Sequence, residues 1–366
     1  MLSFWEKESF IKYDIIIVGG GITGLSSSIS IKEKNPKLSV AVFEAGLLPS
    51  GASTKNAGFA CFGSLSELQN DEIALGTEKM LELVENRWKG LTLLRSRLGD
   101  KAIDFQQYGG YELILDSIHY RAEMSQMNQH LNPIFKKDVY SLAFDKVGTF
   151  RLNKQLVKQL IYNPHEGQIH TGKMMQALIK KVTSLGVSIF TNSKVDELTS
   201  EGVLVGGIEF KSSQTIVCTN AFTKTLIPDV KLVPGRGQVL ITKPIKDLQL
   251  KGTFHYDEGF YYFRNIGNRV LLGGGRNQDF ESEETTELAL IQKIQDHLIE
   301  QLKTIILHDT PFEIESQWTG IMGFSSNKFP IVNRINNRTV IAVKLGGIGV
   351  ALGSMVGLQA AELTLN

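Results

Sequence analysis

The stretch YDIIIVGGGITGLSSSISI, residues 13–31, decides the fold. Four apolar residues at positions 15–18 precede Gly19, Gly21 and Gly24 in the order G-x-G-x-x-G, which predicts a buried parallel strand that turns into a helix. Gly19 permits the tight turn, Gly21 lets the backbone approach a pyrophosphate, and Gly24 lets the helix pack closely on the strand. The N-terminus of that helix then faces the phosphates. The stretch therefore predicts the first βαβ unit of a dinucleotide-binding α/β fold.

A second strand is predicted over residues 38–46, LSVAVFEAG, which contain an acidic residue near their end. Glu44 follows the third glycine of the motif by 20 positions, the spacing at which a carboxylate accepts hydrogen bonds from ribose hydroxyls. A carboxylate at this position favours a free 2′-hydroxyl over a 2′-phosphate. The neighbouring residues Ile22, Thr23 and Ala45 are assigned to the same binding site. The motif alone does not separate NAD from FAD.

The loop after Glu44 distinguishes between these two cofactors. Residues 46–64, GLLPSGASTKNAGFACFGS, are small and hydroxylated where a plain βαβ unit would continue into a helix. Ser53, Thr54 and the backbone amides of residues 56–58 can donate to a phosphate or to the polar edge of a flavin, and the glycines allow a close approach. The loop therefore favours FAD, with an ordinary flexible glycine–serine loop as the alternative.

Six segments now carry a resemblance to a known family. They are DIIIVGGGITGLS, FEAG, GASTKNAGF, HEGQIHTGKMMQAL, VCTNAFTKTLIPDV and KLGGIGVALGS, and they stand in the order typical of D-amino-acid-oxidase-like FAD-dependent oxidoreductases. Across nearly its whole length the chain resembles this superfamily, and within it the gamma-glutamylputrescine oxidase and glycine oxidase branches. The resemblance implies a Rossmann-like FAD-binding domain of the GR2 type, with an inserted α+β substrate domain built on an antiparallel sheet.

The resemblance also implies further contacts with FAD. The backbone at Val195 resembles the position that meets the adenine, and the chain after a late buried strand approaches the cofactor. Near the C-terminus, a glycine cluster and the positive end of the last helix would face the N1–C2=O edge of the flavin, which gains negative charge on reduction. No cysteine stands at the late position that binds flavin covalently in some relatives, which implies non-covalent FAD. The full set predicted for FAD is Gly19, Gly21, Ile22, Thr23, Gly24, Glu44, Ala45, Ser53, Thr54, Asn56, Ala57, Gly58, Val195, Thr219, Asn220, Ala221, Gly347, Ile348, Gly349 and Val350.

The pattern changes after about residue 239, where β-branched and aromatic residues alternate between turn signals. This alternation predicts an antiparallel sheet inserted into the nucleotide-binding part of the chain. We assign residues 1–77, 145–222 and 318–366 to a discontinuous FAD-binding domain, and residues 78–144 and 223–317 to the substrate domain. A mixed-charge amphipathic helix is predicted over residues 281–302.

The chemistry that the resemblance implies is oxidation of a C–N bond in a small amine or amino acid. The flavin takes a hydride at N5, and the imine that forms is hydrolysed by water; no dedicated catalytic base is required. Molecular oxygen or another electron acceptor then reoxidises the flavin. The residues predicted for the substrate pocket are Phe59, Tyr261, Tyr262, Arg264, Arg276 and Met322. Because side chains alternate along a strand, only one of the two adjacent tyrosines can face the pocket.

Two positions depart from the family pattern. Met322 stands where many amino-acid oxidases carry an arginine that binds the substrate carboxylate, and a methionine cannot bind one. This departure favours an amine, or an amino acid whose carboxylate is held by Arg276 or Arg264. Leu271 stands where sarcosine-oxidase-like relatives carry a lysine, so the oxidase and dehydrogenase modes both remain open.

Composition limits the remaining partners. The formal net charge of +1, from 39 basic and 38 acidic residues, offers no excess for binding nucleic acid. The two cysteines match neither a disulfide framework nor a metal-ligand spacing. No signal peptide or uncharged apolar run of membrane-spanning length is present, which predicts a cytoplasmic protein without a transmembrane segment. An NAD-dependent dehydrogenase and a flavoprotein subunit of a larger complex, or a tRNA-modifying relative, are the alternative functions.

Overall fold

The computed structural model describes residues 1–116 and 120–366. The helices are α1 (Phe4–Ser9), α2 (Ile22–Lys34), α3 (Ala52–Lys55), α4 (Leu65–Leu75), α5 (Thr77–Leu98), α6 (Asp100–Ile103), α7 (Arg121–Phe135), α8 (Lys146–Thr149), α9 (Thr171–Ser184), α10 (Gln292–Gln301) and α11 (Gly349–Leu365). Short 3-10 helices span Asn220–Thr225 and Arg276–Gln278, and a π-helix spans Leu302–Ile306.

The strands form two large sheets and one small pair. They are β1 (Lys12–Val18), β2 (Val40–Phe43), β3 (Phe59–Ala60), β4 (Gly110–Ile114), β5 (Ser141–Leu142), β6 (Gln159–Asn163), β7 (Gly167–Gln168), β8 (Ser188–Phe190), β9 (Glu197–Leu198), β10 (Gly202–Val205), β11 (Ile208–Val217), β12 (Val233–Thr242), β13 (Thr253–Tyr256), β14 (Tyr261–Ile266), β15 (Arg269–Gly274), β16 (Ile314–Phe324), β17 (Ile331–Asn336) and β18 (Thr339–Val343).

The first sheet has the order β17-β18-β11-β1-β2-β8, and β10 and β9 extend it from β11. Its strands from β18 to β8 are parallel, and β17 lies antiparallel at the edge. Strand β1 is buried on both faces, because Ile15 and Ile17 pack with α2, α9 and α11 while Ile16 and Val18 pack with Phe43 on the other face. This two-sided burial explains why β1 is a continuous apolar run instead of an alternating one.

Two glycines bring the last helix onto the first one of the nucleotide-binding unit. A Cβ atom at Gly353 would lie 2.3 Å from Cγ2 of Ile22, and one at Gly357 would lie 2.7 Å from Cβ of Ser26. At these two glycines the backbone of α11 therefore packs directly against side chains of α2. The contact fixes the N-terminus of α11 beside that of α2.

The second sheet has the order β16-β12-β15-β14-β13-β4-β6-β5, and all its pairs are antiparallel except β13 with β4. One face carries Tyr261 and Phe263 of β14, which pack with Ile294 and Leu298 of α10 in one apolar core. The opposite face looks toward β3 and toward the loops of the first sheet. One face of the second sheet thus covers an apolar core, and its other face is open to the first sheet.

The predicted α/β class with an inserted antiparallel sheet is confirmed, since the strands of the second sheet come from two separate stretches of the chain. Two segments predicted for the FAD-binding domain lie in the second sheet instead: β6 pairs with β4, and residues 318–324 of β16 pair with β12. The boundaries themselves stay a prediction, and residues 117–119 of the predicted segment 78–144 lie outside the described residues.

The helix predicted over residues 281–302 is wrong in its first half. Helix α10 begins only at Gln292, and the segment before it runs along β12. The buried carboxylate of Glu283 binds Arg236 and Gln238 of β12, so a tertiary ion pair determines this backbone in place of helical periodicity. None of the helices in the described part of the chain combines the length and apolarity that crossing a bilayer requires.

Candidate functional site

The carboxyl ends of four parallel strands meet at one edge of the first sheet. Residues 19–24 follow β1, Glu44 follows β2, residues 219–221 follow β11 and residues 344–350 follow β18. In open α/β sheets this edge is where ligands bind. The structure therefore brings together segments that are more than 300 positions apart in the sequence.

The glycine turn between β1 and α2 leaves no room for side chains. Gly19 has a φ of +110°, and a Cβ atom there would lie 2.8 Å from the carbonyl oxygen of Cys218. A Cβ atom at Gly24 would lie only 2.0 Å from the carbonyl oxygen of Gly19. Both positions therefore require glycine, and the turn leaves the N-terminus of α2 at the sheet edge.

Glu44 is held at the end of β2 by the backbone of the glycine turn. Its Oε2 atom accepts a 2.9 Å hydrogen bond from the amide of Gly20, and its Oε1 atom accepts one of 3.0 Å from Gly46. Each carboxylate oxygen has a second lone pair, so the group keeps capacity for ribose hydroxyls. Ala45 follows in the same turn, whereas the side chain of Val195 is buried in the core with Phe43. Only the backbone of Val195 is left for a ligand.

The loop of residues 51–58 is shaped by its own side chains. Asn56 donates from Nδ2 to the carbonyl oxygens of Ala52 and Ser53, and its Oδ1 atom accepts from the amide of Gly58 at 2.8 Å. Thr54 donates to the carbonyl oxygen of Pro49 at 2.6 Å, so its hydroxyl is used within the loop. The polar side chains of Thr54 and Asn56 hold the loop, and Ser53 is the one that reaches the glycine turn.

The C-terminal glycine cluster lies beside the chain that follows β11. Asn220 adopts a φ of 46°, and its Oδ1 atom accepts a 3.1 Å hydrogen bond from the amide of Lys344. Gly347 adopts a φ of +87°, and its Cβ position lies 3.7 Å from Sδ of Met322 on β16. The cluster of residues 347–350 at the start of α11 therefore lies against the second sheet.

The residues at this edge fit a dinucleotide. The glycine turn forms a cradle that any Cβ atom would fill, the amides at the N-terminus of α2 face it, and Glu44 offers acceptors. Ser53 and residues 347–350 continue the site from that cradle to the open face of the second sheet. The sheet edge and this face together fit FAD, whose flavin needs a second surface beyond the nucleotide site.

The open face of the second sheet carries the aromatic residues predicted for the pocket. The ring of Tyr262 meets that of Phe59 edge to face, with 5.6 Å between centroids and 80° between planes. A Cβ atom at Gly237 would lie 3.9 Å from the hydroxyl of Tyr262 and 2.8 Å from Cε of Met322. Burial raises the pKa of Tyr262 to about 12, so the side chain stays a neutral phenol. The structure thus brings together Phe59, Tyr262 and Met322.

Tyr261 points to the opposite face of the second sheet from Tyr262. Its hydroxyl lies 2.8 Å from Nε2 of His297 on α10, and it accepts a 3.0 Å hydrogen bond from Gln278. Tyr261 therefore belongs to the apolar core of the second sheet, and Tyr262 alone faces the first sheet.

Two arginines on this face have no carboxylate partner among the described residues. Arg264 is buried, donates one 3.0 Å hydrogen bond to the carbonyl oxygen of Ile169, and leaves Nε without an acceptor in the described part of the chain. Burial lowers the pKa of Arg264 to about 10, against the opposing charge of Asp104. Arg276 is half-buried, and burial lowers its pKa while Glu283 and Glu284 oppose that shift.

Sequence reasoning missed a buried ionic cluster behind Phe59. His255 shares a 3.0 Å hydrogen bond between Nε2 and Oε2 of Glu166, and its ring meets Phe59 with 5.1 Å between centroids. Burial by itself would lower the pKa of His255, but the charge and hydrogen bond of Glu166, with two further glutamates nearby, raise it to about 9. Glu112, whose pKa burial raises, is hydrogen-bonded to Ser66. For Glu112 and His255 the available signal was a polar residue inside an apolar strand, β4 and β13 respectively.

Cys61 joins this cluster, and the ligand-type atoms of Cys61, Glu166 and His255 lie within 4.8 Å of one another. The Oε2 atom of Glu166 already accepts from His255 and, at 3.0 Å, from Thr253. Burial raises the pKa of the Cys61 thiol well above its usual value. The group is therefore a protonated imidazole paired with a carboxylate beside a neutral thiol.

Comparison with known proteins agrees with this geometry. Residues 14–363 match the family DAO, described as FAD dependent oxidoreductase. The chain is 22% identical to a glycine oxidase of Geobacillus kaustophilus, with 96% of this chain and 93% of that protein covered. It is 22% identical to the gamma-glutamylputrescine oxidoreductase of Escherichia coli, covering 96% and 84%. Among solved structures, L-proline dehydrogenase from P. horikoshii superposes with a TM-score of 0.77 at 20% identity, covering 96% and 93%.

Proposed function

We propose a function for this chain from one premise: the chain belongs to the DAO family of FAD-dependent oxidoreductases. Its cofactor is FAD, and the chain is an FAD-dependent oxidoreductase. We propose that it oxidises the C–N bond of a small amine or amino acid. The observation that carries the proposal is the position of Tyr262 and Met322 on the open face of the second sheet, with Phe59 of β3 packed against Tyr262, beside the glycine cluster at the start of α11.

The predicted cofactor residues divide into four roles in this proposal. Residues 19–24 receive the pyrophosphate, and Glu44 binds the adenosine ribose. Ser53 and residues 56–58 border the path to the flavin, and residues 219–221 and 347–350 line its polar edge. Both cysteines are buried, with the pKa of each thiol raised by that burial, which supports FAD held without a covalent bond.

When bound, FAD supplies hydride acceptance at N5. The residues of the chain bind the substrate, orient the carbon beside the nitrogen and exclude water. Phe59 and Tyr262 give two aromatic walls, and Leu271 packs with Ala57 to make the neighbouring surface apolar. With a pKa of about 12, Tyr262 donates a hydrogen bond and does not act as a base near neutral pH. The proposal therefore assigns no catalytic base.

The names of the relatives support the proposed substrate class. Three of them are a glycine oxidase, a gamma-glutamylputrescine oxidoreductase and an L-proline dehydrogenase. The proposal includes molecular oxygen or another acceptor for the electrons, a cytoplasmic location and no nucleic-acid partner. The apolar Leu271 leaves both the oxidase and the dehydrogenase mode within the proposal.

An anaerobic titration tests this function. The purified holoenzyme is mixed with primary amines, secondary amines and D- and L-amino acids, and the loss of oxidised-flavin absorbance is followed. We expect bleaching by at least one class, and readmitted air then shows whether oxygen is the acceptor. A protein that binds no FAD, or a flavin that no amine or amino acid reduces, would contradict the proposal.

A further inference from the structure

Arg276 is an unpaired cation at the end of β15. Its Nε atom is buried and has no acceptor within the described ranges, and its side chain forms no ion pair there. Taking a guanidinium partly out of water without an anion costs free energy, and here burial lowers its pKa. Such a cation has a free planar fork of N–H donors, the geometry that binds a carboxylate through two parallel hydrogen bonds.

Two aromatic rings position this guanidinium. Its carbon Cζ lies 4.3 Å from the ring centroid of Phe324 and 5.3 Å from that of Phe280. Gly235 makes the room, because a Cβ atom there would lie 2.9 Å from Cζ of Arg276. Stacking on aromatic rings holds the plane of the fork and leaves its edge free for a ligand.

The fork lies next to the proposed substrate face. Gly235 is paired with Met322 across β12 and β16, and Met322 also covers Gly237, where the hydroxyl of Tyr262 approaches. One step of two residues along a strand spans about 7 Å. A carboxylate at Arg276 is therefore within a small-molecule length of Tyr262, with Met322 as an apolar surface between them.

The neighbouring acids do not neutralise Arg276. Glu283 is fully buried and already binds Arg236, whose Nη2 atom lies 3.0 Å from its carboxylate, and it also accepts from Gln238. Glu284 is exposed to solvent, where water screens its charge. The Arg236–Glu283 pair thus holds the segment after Arg276 against β12 and leaves the Arg276 charge uncompensated.

From these contacts we infer that Arg276 binds a carboxylate of the substrate, so that the substrate is an amino acid and not a simple amine. The inference rests on the proposed function and narrows it. The carboxylate displaces water from the fork, and the aromatic rings of Phe280 and Phe324 lie against the guanidinium. Met322 packs against the carbon atoms that join the carboxylate to the nitrogen.

Equilibrium binding tests the inference without turnover. Oxidised holoenzyme is titrated with straight-chain carboxylates from acetate to valerate, and with the corresponding neutral amides, while the flavin spectrum reports binding. We expect at least one carboxylate to perturb the spectrum and its amide to bind at least tenfold more weakly. Because the lost hydrogen bonds are charge-assisted, we expect Arg276→Met to weaken carboxylate binding by roughly 10- to 100-fold. Arg276→Lys should weaken it by less.

Arg269→Met is the matched control, since Arg269 lies on β15, just before the 3-10 helix that contains Arg276, and forms an exposed ion pair with Glu315. It should bind carboxylates as the wild type does. Equal affinity of carboxylate and amide, no spectral response to any carboxylate, or unchanged binding in Arg276→Met would overturn the inference. If simple amines still bleach the flavin in that case, the proposed function stands; if FAD is not bound at all, the proposed function itself fails.

Discussion

The hydroxyl oxygen of Ser53 accepts a 2.9 Å hydrogen bond from the backbone amide of Ile22, the first residue of α2. This contact joins two segments that sequence analysis assigned to the same cofactor on separate grounds. It also brings Oγ of Ser53 to 2.8 Å from the Cβ position of Gly21. The loop after Glu44 is therefore anchored to the helix terminus that faces the pyrophosphate in our proposal.

Ser53→Ala should weaken the binding of FAD without unfolding the protein. The amide of Ile22 loses its partner and the loop loses its anchor, and a hydrogen bond of this kind contributes about 1 kcal/mol. We expect the dissociation constant of FAD to rise by about fivefold, measured by fluorescence titration of the apoprotein. Ser50→Ala removes an exposed hydroxyl from the same loop and should leave the constant unchanged. Equal effects of the two variants would contradict the role of Ser53.

Gly24→Ala should abolish stoichiometric FAD binding. The new Cβ atom would meet the carbonyl oxygen of Gly19 at 2.0 Å, so the turn has to open. Gly51→Ala is the control, because Gly51 has a φ of −75° and nothing within 4 Å of its Cβ position. We expect the ratio of flavin to protein after purification to fall only for Gly24→Ala. A fully loaded Gly24→Ala protein would show that the turn has no role in binding.

The adjacent tyrosines should separate stability from activity. Tyr261→Phe loses the hydrogen bonds to His297 and Gln278, so the free energy of unfolding should fall by about 1–2 kcal/mol while kcat/KM is kept. Tyr262→Phe removes a hydroxyl from the proposed substrate face, so kcat/KM should fall by about tenfold with stability changed little. Denaturant unfolding measures the loss of stability, and steady-state kinetics measure the loss of kcat/KM. If Tyr261→Phe lowered kcat/KM and Tyr262→Phe lowered stability, the assignment of Tyr262 to the pocket would be wrong.

His255 should make stability depend on pH above neutrality. Its pKa is about 9 in the folded protein, above the unfolded value of 6.5, so folding favours the protonated form. The resulting stabilisation is complete below about pH 6.5 and is lost as the pH rises through 9, a decrease on the order of 3 kcal/mol. His255→Asn should flatten the profile between these values in denaturant unfolding. An unchanged slope in His255→Asn would refute the ion pair.

Much of the nucleotide-binding part follows from local sequence patterns. The buried strand, the glycine spacing and the acidic residue after the second strand each rest on near neighbours in the chain, and all of them hold in the structure. The C-terminal glycine cluster is more complex than its sequence indicated. Gly353 and Gly357 serve helix packing against α2, whereas Gly347 lies beside Met322.

The helix predicted over residues 281–302 shows where local patterns fail. Mixed charges at helical spacing are compatible with a solvated helix, but they do not reveal that Glu283 will be buried against Arg236. Satisfying a buried carboxylate outweighs the small differences in helix propensity among these residues. The first half of this segment consequently follows β12.

The sequence by itself determined the fold class and the dinucleotide-binding turn, because these depend on hydrophobic periodicity and on glycines at short spacing. The choice of FAD and the later segments at the sheet edge followed from the resemblance to a known family. The tertiary structure alone decided that Tyr262 faces the first sheet, that Arg276 has no acidic partner among the described residues, and that Glu166 meets His255. The face to which a side chain points, its hydrogen-bond partner and the compensation of its charge depend on which distant strands become neighbours. Local patterns do not specify those neighbours, and burial then sets the free energy of each pair.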